Sequence, residues 1–166
     1  MTKGVPSQRA FAKSCAGDTG RYARTGRDGR VIGSRAMDAT CPFCRALIQS
    51  PRLAENAHAV AITDAYPISR GHSLILSRRH VEDLFDLSTE EATSLWALVP
   101  EVRRAIGTAD SPAGFNIGVN VGAAAGQTVG HVHVHVIPRY LGDVKDPRGG
   151  VRWVIPERAD YWSDRR

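Results

Sequence analysis

Short stretches in which apolar and polar residues alternate recur along the chain from residue 57 onward. The four clearest are AHAVAIT, HSLILS, GFNIGVNVG and HVHVHVIPR, at residues 57–63, 72–77, 114–122 and 131–139. Because successive side chains of a strand point to opposite faces, alternation with period two predicts β-strands. DAYPISRG joins the first two stretches, and its Pro67 and Gly71 are typical turn residues, so this pair is predicted to form a hairpin.

Two other segments have the pattern of helices. CPFCRALIQS, residues 41–50, is predicted to be a short helix that follows a turn typical of metal sites. The main helix is predicted in residues 87–110, where Ser88 and Glu91 have the spacing of a capping box ahead of apolar residues at helical spacing. Pro100 should kink or divide this helix, because its ring removes a hydrogen-bond donor and pushes Val99 away from helical angles.

Length and composition limit the class of protein. The chain has 166 residues and a hydrophobic content of 42%, enough for one substantial core, so we expect a single folded domain. No apolar run approaches the roughly 18 residues that span a bilayer, and the N-terminus lacks the apolar block of a signal peptide. Three cysteines, two of them in CPFC, do not form the even framework of a secreted disulfide scaffold. We therefore expect a soluble, cytoplasmic protein without a membrane partner.

The positive charge of the chain is concentrated at its N-terminus. Residues 1–36 carry eight Lys or Arg and two Asp, whereas residues 37–166 carry 14 basic and 15 acidic residues. The first segment is rich in Gly and Arg, poor in large apolar residues and without periodicity, which predicts a disordered basic leader. Such an arm could bind nucleic acid, although a leader without function is the favoured interpretation. The nearly neutral remainder argues against nucleic acid as a partner of the folded body.

Three histidines occupy every second position at the start of HVHVHVIPR. On a strand, His131, His133 and His135 would share one face, and the intervening valines would line the opposite face against a core. Neighbours on one face lie about 7 Å apart along a strand. This spacing suits proton transfer between neighbours better than three ligands that converge on one ion. A three-histidine metal site and a strand with incidental outward histidines remain the alternatives.

HVHVHVIPR resembles the signature of the histidine triad (HIT) family of nucleotide hydrolases and transferases. CPFC, DAYPISRGHSLIL, SRRH, GFNIGVNVG and GQTVGH also occur in the order usual for this family, so the resemblance extends over most of the chain after Met37. It implies that residues 37–166 form a HIT domain of the α+β class, with an antiparallel sheet of about five strands, one main helix and a short N-terminal helix. It also implies a homodimer.

The resemblance further implies the chemistry of the triad. His133, the middle member, would attack the α-phosphate of an adenosine-type nucleotide and form a nucleotidyl-histidine that water then hydrolyses. Imidazole suits this role because its pKa of about 6.5 leaves it uncharged at neutral pH. His135 would orient the nucleophile or stabilise the phosphoryl charge, His131 completes the catalytic triad, and His72 would be a buried partner that orients a triad histidine.

Nucleotide binding is assigned in the same way. By resemblance, Asp64 would take the ribose hydroxyls, and Asn120, Gln127 and Thr128 would lie at the phosphate and the leaving group. The glycine-rich character of that loop suits a phosphate cradle. Taken alone, Asp64 could equally start a turn and His72 could be an ordinary core histidine.

The branch within the family is narrowed by two positions. His135 stands where the transferase branch has Gln, which favours hydrolysis. IPRY follows the triad in place of the Trp-Pro-Pro-Gly ending of the phosphoramidase branch, so the chain resembles the dinucleoside polyphosphate hydrolase branch more closely. Either a dinucleoside polyphosphate or a nucleoside phosphoramidate remains a possible substrate. The apolar strip of Trp153, Val154 and Ile155 is predicted to pack near the site, without an assigned role.

CPFC has two interpretations. Cys41 and Cys44 could be a thiol redox pair, although redox motifs of this kind follow a buried strand and SRAMDAT precedes them here. Two thiolates with downstream histidines instead fit a structural zinc site of the Cys2His2 kind. By resemblance His80 and His131 are the further ligands, with His131 the weaker assignment and His58 a competitor.

Three classes of function therefore remain: a nucleotide hydrolase, a redox protein that depends on CPFC, and a HIT protein that processes nucleic-acid ends, such as a DNA-adenylate hydrolase. A redox protein does not need His133, and the charge of the body disfavours the third class. The nucleotide hydrolase is the favoured interpretation.

Overall fold

One five-stranded antiparallel sheet forms the centre of the computed structural model, which describes residues 37–163. Its strands are β1 Arg52–Glu55, β2 Ala59–Thr63, β3 Ser73–Ser77, β4 Gly114–Gly118 and β5 His133–Arg139. They lie in the order β1-β2-β3-β5-β4, with every neighbouring pair antiparallel. The predicted α+β class and the strand count are confirmed. The basic leader, residues 1–36, lies outside the described residues.

The strand β1 was not predicted from the alternation of residues. Its sequence is RLAE, and only Ala54 is partly buried, since β1 is an edge strand with one neighbour, β2. Alternation arises when one face of a strand is buried and the other is exposed, so a short strand with little burial on either face leaves no such pattern. The fifth strand was expected only from the family resemblance. Conversely, β4 ends at Gly118, four residues before the predicted end, so Asn120 lies in a loop.

The helices are α1 Pro42–Gln49, α2 Thr89–Ala97 and α3 Val99–Asp110. The predicted capping box is present at α2: the Ser88 side chain accepts from the Glu91 backbone N–H, and the Glu91 carboxylate accepts from the Ser88 backbone N–H. Pro100 divides the long helix as predicted, but the break falls at Leu98. None of the helices in the described part of the chain is long and apolar enough to cross a membrane.

The prediction that Val99 leaves helical angles was wrong, because Val99 is the first residue of α3. Pro100 thus occupies the first turn of a new helix, where a missing N–H costs nothing because it would have no partner within the helix. The chain bends one residue earlier, and the Val102 N–H donates to the Leu98 carbonyl at 2.9 Å.

The two faces of the sheet have separate apolar cores. On one face α2 and α3 cover Val132, Val134 and Val136, together with Ile75 and other core residues. On the other face α1 packs through Leu47 on a second cluster. The valines of the triad segment therefore face the main helices, as predicted, and His131 and His133 face α1.

The row of histidines differs from the prediction in two respects. The strand β5 begins at His133, and His131 precedes it at a bend, because the Val132 N–H donates to the Val81 carbonyl at 2.7 Å. The row is also covered rather than outward. His131 is fully buried and His133 is 5% exposed, since α1 lies over this part of the sheet.

Candidate functional site

The orientation of the middle histidine is fixed by the backbone. Nδ1 of His133 lies 2.7 Å from the carbonyl oxygen of His131. A carbonyl oxygen can only accept, so a neutral His133 ring carries its proton on Nδ1 and a lone pair on Nε2. The free lone pair makes Nε2 the atom that can act as a nucleophile.

An aromatic side chain of α1 covers this nucleophile candidate. The Phe43 ring lies edge-on to His133 with 4.8 Å between ring centroids, and the His135 ring lies 5.0 Å away on the other side. Phe43 stands between the two cysteines of CPFC, and no sequence pattern indicated a role for it. Its contact with His133 depends on how α1 lies across the sheet, and no local pattern reports that arrangement.

A second histidine pair extends from the triad to a carboxylate. Nδ1 of His135 lies 3.1 Å from Nε2 of His72, and Nδ1 of His72 lies 3.3 Å from a carboxylate oxygen of Asp64. Burial lowers the pKa of His135 to about 4 and also lowers the pKa of His72, while the Asp64 charge opposes both shifts. In the free protein the two rings are therefore neutral at pH 7.

The His72 ring can hold its proton on either nitrogen. Its Nδ1 faces the Asp64 carboxylate, which accepts, and also the backbone N–H of Ile68 at 3.4 Å, which donates. When Nδ1 of His72 is protonated, Nε2 accepts from Nδ1 of His135. When Nδ1 of His72 is not protonated, Nε2 donates instead and His135 presents an Nε2–H outward. Asp64, His72 and His135 thus form a chain along which a proton can move.

The proton path of Asp64, His72 and His135 lies at the wall of a cavity of about 550 Å³. Four of the predicted site residues line it, namely Asp64, His72, Asn120 and His135. The remaining wall is mostly apolar and includes Tyr66, Ile68, Ile137, Val151, Trp153 and Val154. The predicted approach of the C-terminal strip to the site is thus confirmed for two of its three residues, since Ile155 does not line the cavity.

The structure does not bring Gln127 and Thr128 into this cavity. The Gln127 amide oxygen accepts from the Gly122 N–H at 2.7 Å, and its amide nitrogen donates to the Glu82 carbonyl at 2.8 Å and the Val129 carbonyl at 3.2 Å. Thr128 lines a separate cavity of about 260 Å³ beside Cys41 and His80. In this structure Gln127 holds the loop together, and phosphate contact by either residue stays a prediction.

The second predicted site is assembled as expected. Cys41, Cys44, His80 and His131 are all buried, and one potential ligand atom of each lies within 4.8 Å of the others. Cys41 Sγ lies 3.5 Å from Nδ1 of His131, and Cys44 Sγ lies 3.3 Å from Nδ1 of His80. Sulfur and nitrogen ligands on one tetrahedral zinc are about 3.6 Å apart, given Zn–S of about 2.3 Å and Zn–N of about 2.1 Å. The donor set therefore fits zinc, and the exposed His58 has no place in it.

The protonation of the cluster also suits a metal. Nε2 of His131 lies 2.8 Å from the Ser77 carbonyl, to which it donates, so the lone pair of Nδ1 points at the cysteines. Burial lowers the pKa of His131 to about 4, which keeps this ring neutral. These observations favour the metal interpretation of CPFC over the redox interpretation.

Residues 45–142 match the HIT domain family. Among characterised proteins, the chain is 37% identical over 103 residues to adenosine 5'-monophosphoramidase hnt1 of Schizosaccharomyces pombe, which covers 60% of this chain and 74% of that protein. It is 39% identical over 84 residues to an AP-4-A phosphorylase of Mycobacterium tuberculosis, which covers 50% of this chain and 43% of that protein. These relatives differ in the bond that their names say they cleave, so the similarity leaves the branch open.

Among solved structures, the fold is similar to that of a zinc-bound histidine triad family protein from Mycobacterium smegmatis. The TM-score is 0.56 at 35% sequence identity, and the match covers 63% of this chain and 78% of that one. A metal-bound protein of similar sequence and fold agrees with the buried Cys/His cluster.

Proposed function

The chain belongs to the HIT domain family, and from this membership and the geometry around His133 we propose that it hydrolyses or phosphorolyses adenosine-type nucleotides at the α-phosphate. The hydrogen bond from Nδ1 of His133 to the His131 carbonyl carries this proposal, because it leaves Nε2 as a positioned nucleophile.

The proposed reaction has two steps. Nε2 of His133 attacks the α-phosphorus, a phosphorus–nitrogen bond forms, and the bond from phosphorus to the leaving group breaks. The His72–His135 pair, which takes up one proton when the anionic substrate binds beside it, passes that proton to the leaving group, whose oxygen or nitrogen would otherwise depart as a strong base. Water, or inorganic phosphate in a phosphorylase, then attacks the same phosphorus and releases His133.

Substrate binding is proposed to use the polar residues that line the cavity. Asp64 would accept hydrogen bonds from the ribose hydroxyls, and Asn120 would donate to a phosphate oxygen. The Asp64 carboxylate lies 3.3 Å from His72, so a sugar bound to Asp64 would also affect the proton chain. Gln127 and Thr128 are also proposed to bind phosphate, which requires their glycine-rich loop to rearrange.

For the physiological substrate we propose a dinucleoside polyphosphate, with a nucleoside phosphoramidate as the alternative. The IPRY segment after the triad supports a dinucleoside polyphosphate. The chain is similar both to a phosphoramidase and to an AP-4-A phosphorylase, so a nucleoside phosphoramidate stays the alternative. A DNA-adenylate is a third candidate that the charge of the body disfavours.

We propose that Cys41, Cys44, His80 and His131 hold a structural zinc ion. A closed site of two thiolates and two imidazoles supplies cross-linking rather than an open coordination position. Within the chain, Cys41 and Cys44 would fix α1, and thereby Phe43, over the triad. His131 would keep its backbone carbonyl at the position that orients His133.

A homodimer, a cytoplasmic location and a disordered leader in residues 1–36 are also proposed, all from the sequence. The oligomeric state is measured directly by light scattering coupled to size-exclusion chromatography, where a mass near 36 kDa would support the dimer, since one chain is 18.0 kDa.

A substrate panel tests the proposed function. Adenosine phosphoramidate, diadenosine polyphosphates and adenylated DNA are offered to the protein with and without inorganic phosphate. Turnover of either of the first two supports the proposal, and a requirement for phosphate identifies a phosphorylase. Turnover of adenylated DNA alone would favour the end-processing alternative, and no turnover of any would contradict the proposal.

A further inference from the structure

Residues 143–163 lie beyond the segment that matches the HIT domain family, yet part of them lines the cavity that His72 and His135 also line. This C-terminal segment contains two short 3₁₀ turns, Gly150–Val154 and Pro156–Arg158. The family match therefore gives no function to a wall that the substrate would meet.

The C-terminal segment holds its shape through its own contacts. The Trp153 indole N–H donates to the Arg148 carbonyl at 2.7 Å, and the Arg152 guanidinium donates to the Arg158 carbonyl at 2.9 Å. The Arg148 guanidinium lies over the Trp162 ring at 4.7 Å, and Ala159 is fully buried. Trp153 is therefore positioned by hydrogen bonding and packing rather than attached to a free tail.

The C-terminal segment contacts the edge strand β4 close to the position of His135. Gly150 lies so close to β4 that a Cβ on it would be 3.4 Å from the Asn116 amide nitrogen. Asn116 pairs with Ile137 in the sheet, and Gly118 pairs with His135. Two residues along a strand correspond to about 7 Å. Gly150 thus lies beside β4 about two residues along the strand from the position that pairs with His135.

The cavity is lined by both polar and apolar side chains. Asp64, His72 and His135 supply polar groups to which a sugar and a phosphate would bind. Val151, Trp153 and Val154 line the same cavity and are 62%, 46% and 81% exposed. Large apolar side chains around a cavity, beside a polar site, are suited to a flat apolar group of the ligand.

We propose that Val151, Trp153 and Val154 form a binding wall for a nucleobase of the substrate, with the Trp153 ring as the stacking surface. The inference rests on the proposed function, because it takes the ligand to be a nucleotide. The base can come from the nucleoside that is transferred to His133 or from the second nucleoside of a dinucleoside polyphosphate. Stacking on an aromatic side chain recognises either source through the same chemistry.

The test compares two tryptophans of nearly equal exposure in the full-length chain. Trp153→Ala removes the wall, and Trp96→Ala, on α2 outside the cavity, removes a side chain that is 47% exposed against 46% for Trp153. Calorimetry measures the affinity of each variant for AMP and for ribose 5-phosphate, which lacks the base. Diadenosine tetraphosphate is titrated into the same variants combined with His133→Ala, which prevents turnover.

Trp153→Ala should weaken the binding of AMP, of diadenosine tetraphosphate or of both by about tenfold or more, since stacking on an aromatic residue contributes about 1–3 kcal/mol per base. A loss for AMP identifies the transferred nucleoside, and a loss for the dinucleotide alone identifies the second one. Ribose 5-phosphate affinity should not change, Trp96→Ala should bind as wild type does, and Trp153→Phe should restore most of the affinity.

Unchanged affinity of Trp153→Ala for both base-containing ligands would overturn the inference, as would an equal loss for ribose 5-phosphate. If wild-type protein turns nucleotides over through His133 in that case, the proposed function stands without the wall. If wild-type protein neither binds AMP nor turns over any nucleotide, the proposed function fails and the wall fails with it.

Discussion

His131 belongs to the metal cluster through its side chain and to the active site through its backbone. Its Nδ1 lies 3.5 Å from Cys41 Sγ, and its carbonyl oxygen accepts a hydrogen bond from the Nδ1–H of His133 at 2.7 Å. The residue that completes the cluster therefore also sets the tautomer and direction of the nucleophile candidate. The two sites are coupled through a single residue, which has measurable consequences.

Protein purified without added metal should contain about one zinc per chain. Cys44→Ser should lose the zinc, lower the melting temperature by about 10 °C or more and reduce turnover, because α1 and His131 lose a common anchor. The exposed His58 provides the matched control, since His58→Ala should keep both metal and activity. Metal-free wild-type protein with a reversible Cys41–Cys44 disulfide would support the redox interpretation instead.

Acidification should destabilise the fold through His135. Burial lowers its pKa to about 4, whereas an unfolded histidine titrates near about 6.5, so the unfolded chain binds more protons between these values. Stability due to the neutral ring is therefore complete above about pH 6.5 and is lost progressively toward pH 4. After allowance for solvent screening, His135→Gln should reduce the loss between pH 7 and pH 5 by about 1–2 kcal/mol in urea unfolding. Identical pH dependence in variant and wild type would show that His135 does not titrate in this way.

Removal of the Asp64 carboxylate should shift the pH profile of turnover. Asp64 opposes the effect of burial on the pKa of His72 and of His135, so Asp64→Asn should lower the pKa of the pair. We expect the limb of the kcat profile that reports deprotonation of the acid to move to lower pH by about 0.5–1 unit. Asp86→Asn, an exposed carboxylate outside the cavity, is the control. A change in KM with an unmoved profile would restrict Asp64 to ribose binding.

Much of the fold and site follows from the sequence because the informative signals are local. The alternation of Val132 to Val136 specifies which face packs on the main helices, and Ser88 with Glu91 specifies where α2 begins. In the metal cluster, residue type and spacing indicated Cys41 and Cys44, and the family resemblance added His80 and His131. In these cases a few neighbouring residues, or a known motif, contain the whole signal.

Other features required the assembled structure. Residues 52–55 have no alternation because only Ala54 of β1 is even partly buried. The Gln127 amide is occupied by three backbone groups of a folded loop, and no sequence pattern reports that. Phe43 contacts His133 from α1, an element distant in the chain from the triad. These relationships arise from packing between elements, and residue spacing does not encode them.

Deletion of residues 1–36 should leave the melting temperature and nucleotide turnover nearly unchanged. The expectation follows from their composition, since a charged segment with few large apolar residues cannot bury much surface. Differential scanning calorimetry of the full and shortened chains measures it. A fall in melting temperature of several degrees would show that the segment packs against the folded body.

His133→Ala should lower turnover by several orders of magnitude and retain AMP binding, because it removes the nucleophile and leaves Asp64, Asn120 and His135 in place. His135→Ala should lower turnover less, since it removes proton transfer and charge stabilisation but keeps Nε2 of His133. Circular dichroism and melting curves should show both variants folded. A greater loss in His135→Ala than in His133→Ala would contradict the assignment of His133 as the nucleophile.

The covalent intermediate gives the most direct test of the proposed mechanism. Wild-type protein is quenched during turnover of a nucleotide labelled at the α-phosphate, and the label bound to protein is measured. Label bound to wild-type protein should be acid-labile and base-stable, as a phosphorus–nitrogen bond is. The His133→Ala variant should carry no bound label. Label that never attaches to the protein, or a His133→Ala variant that turns over near the wild-type rate, would contradict nucleophilic catalysis by His133.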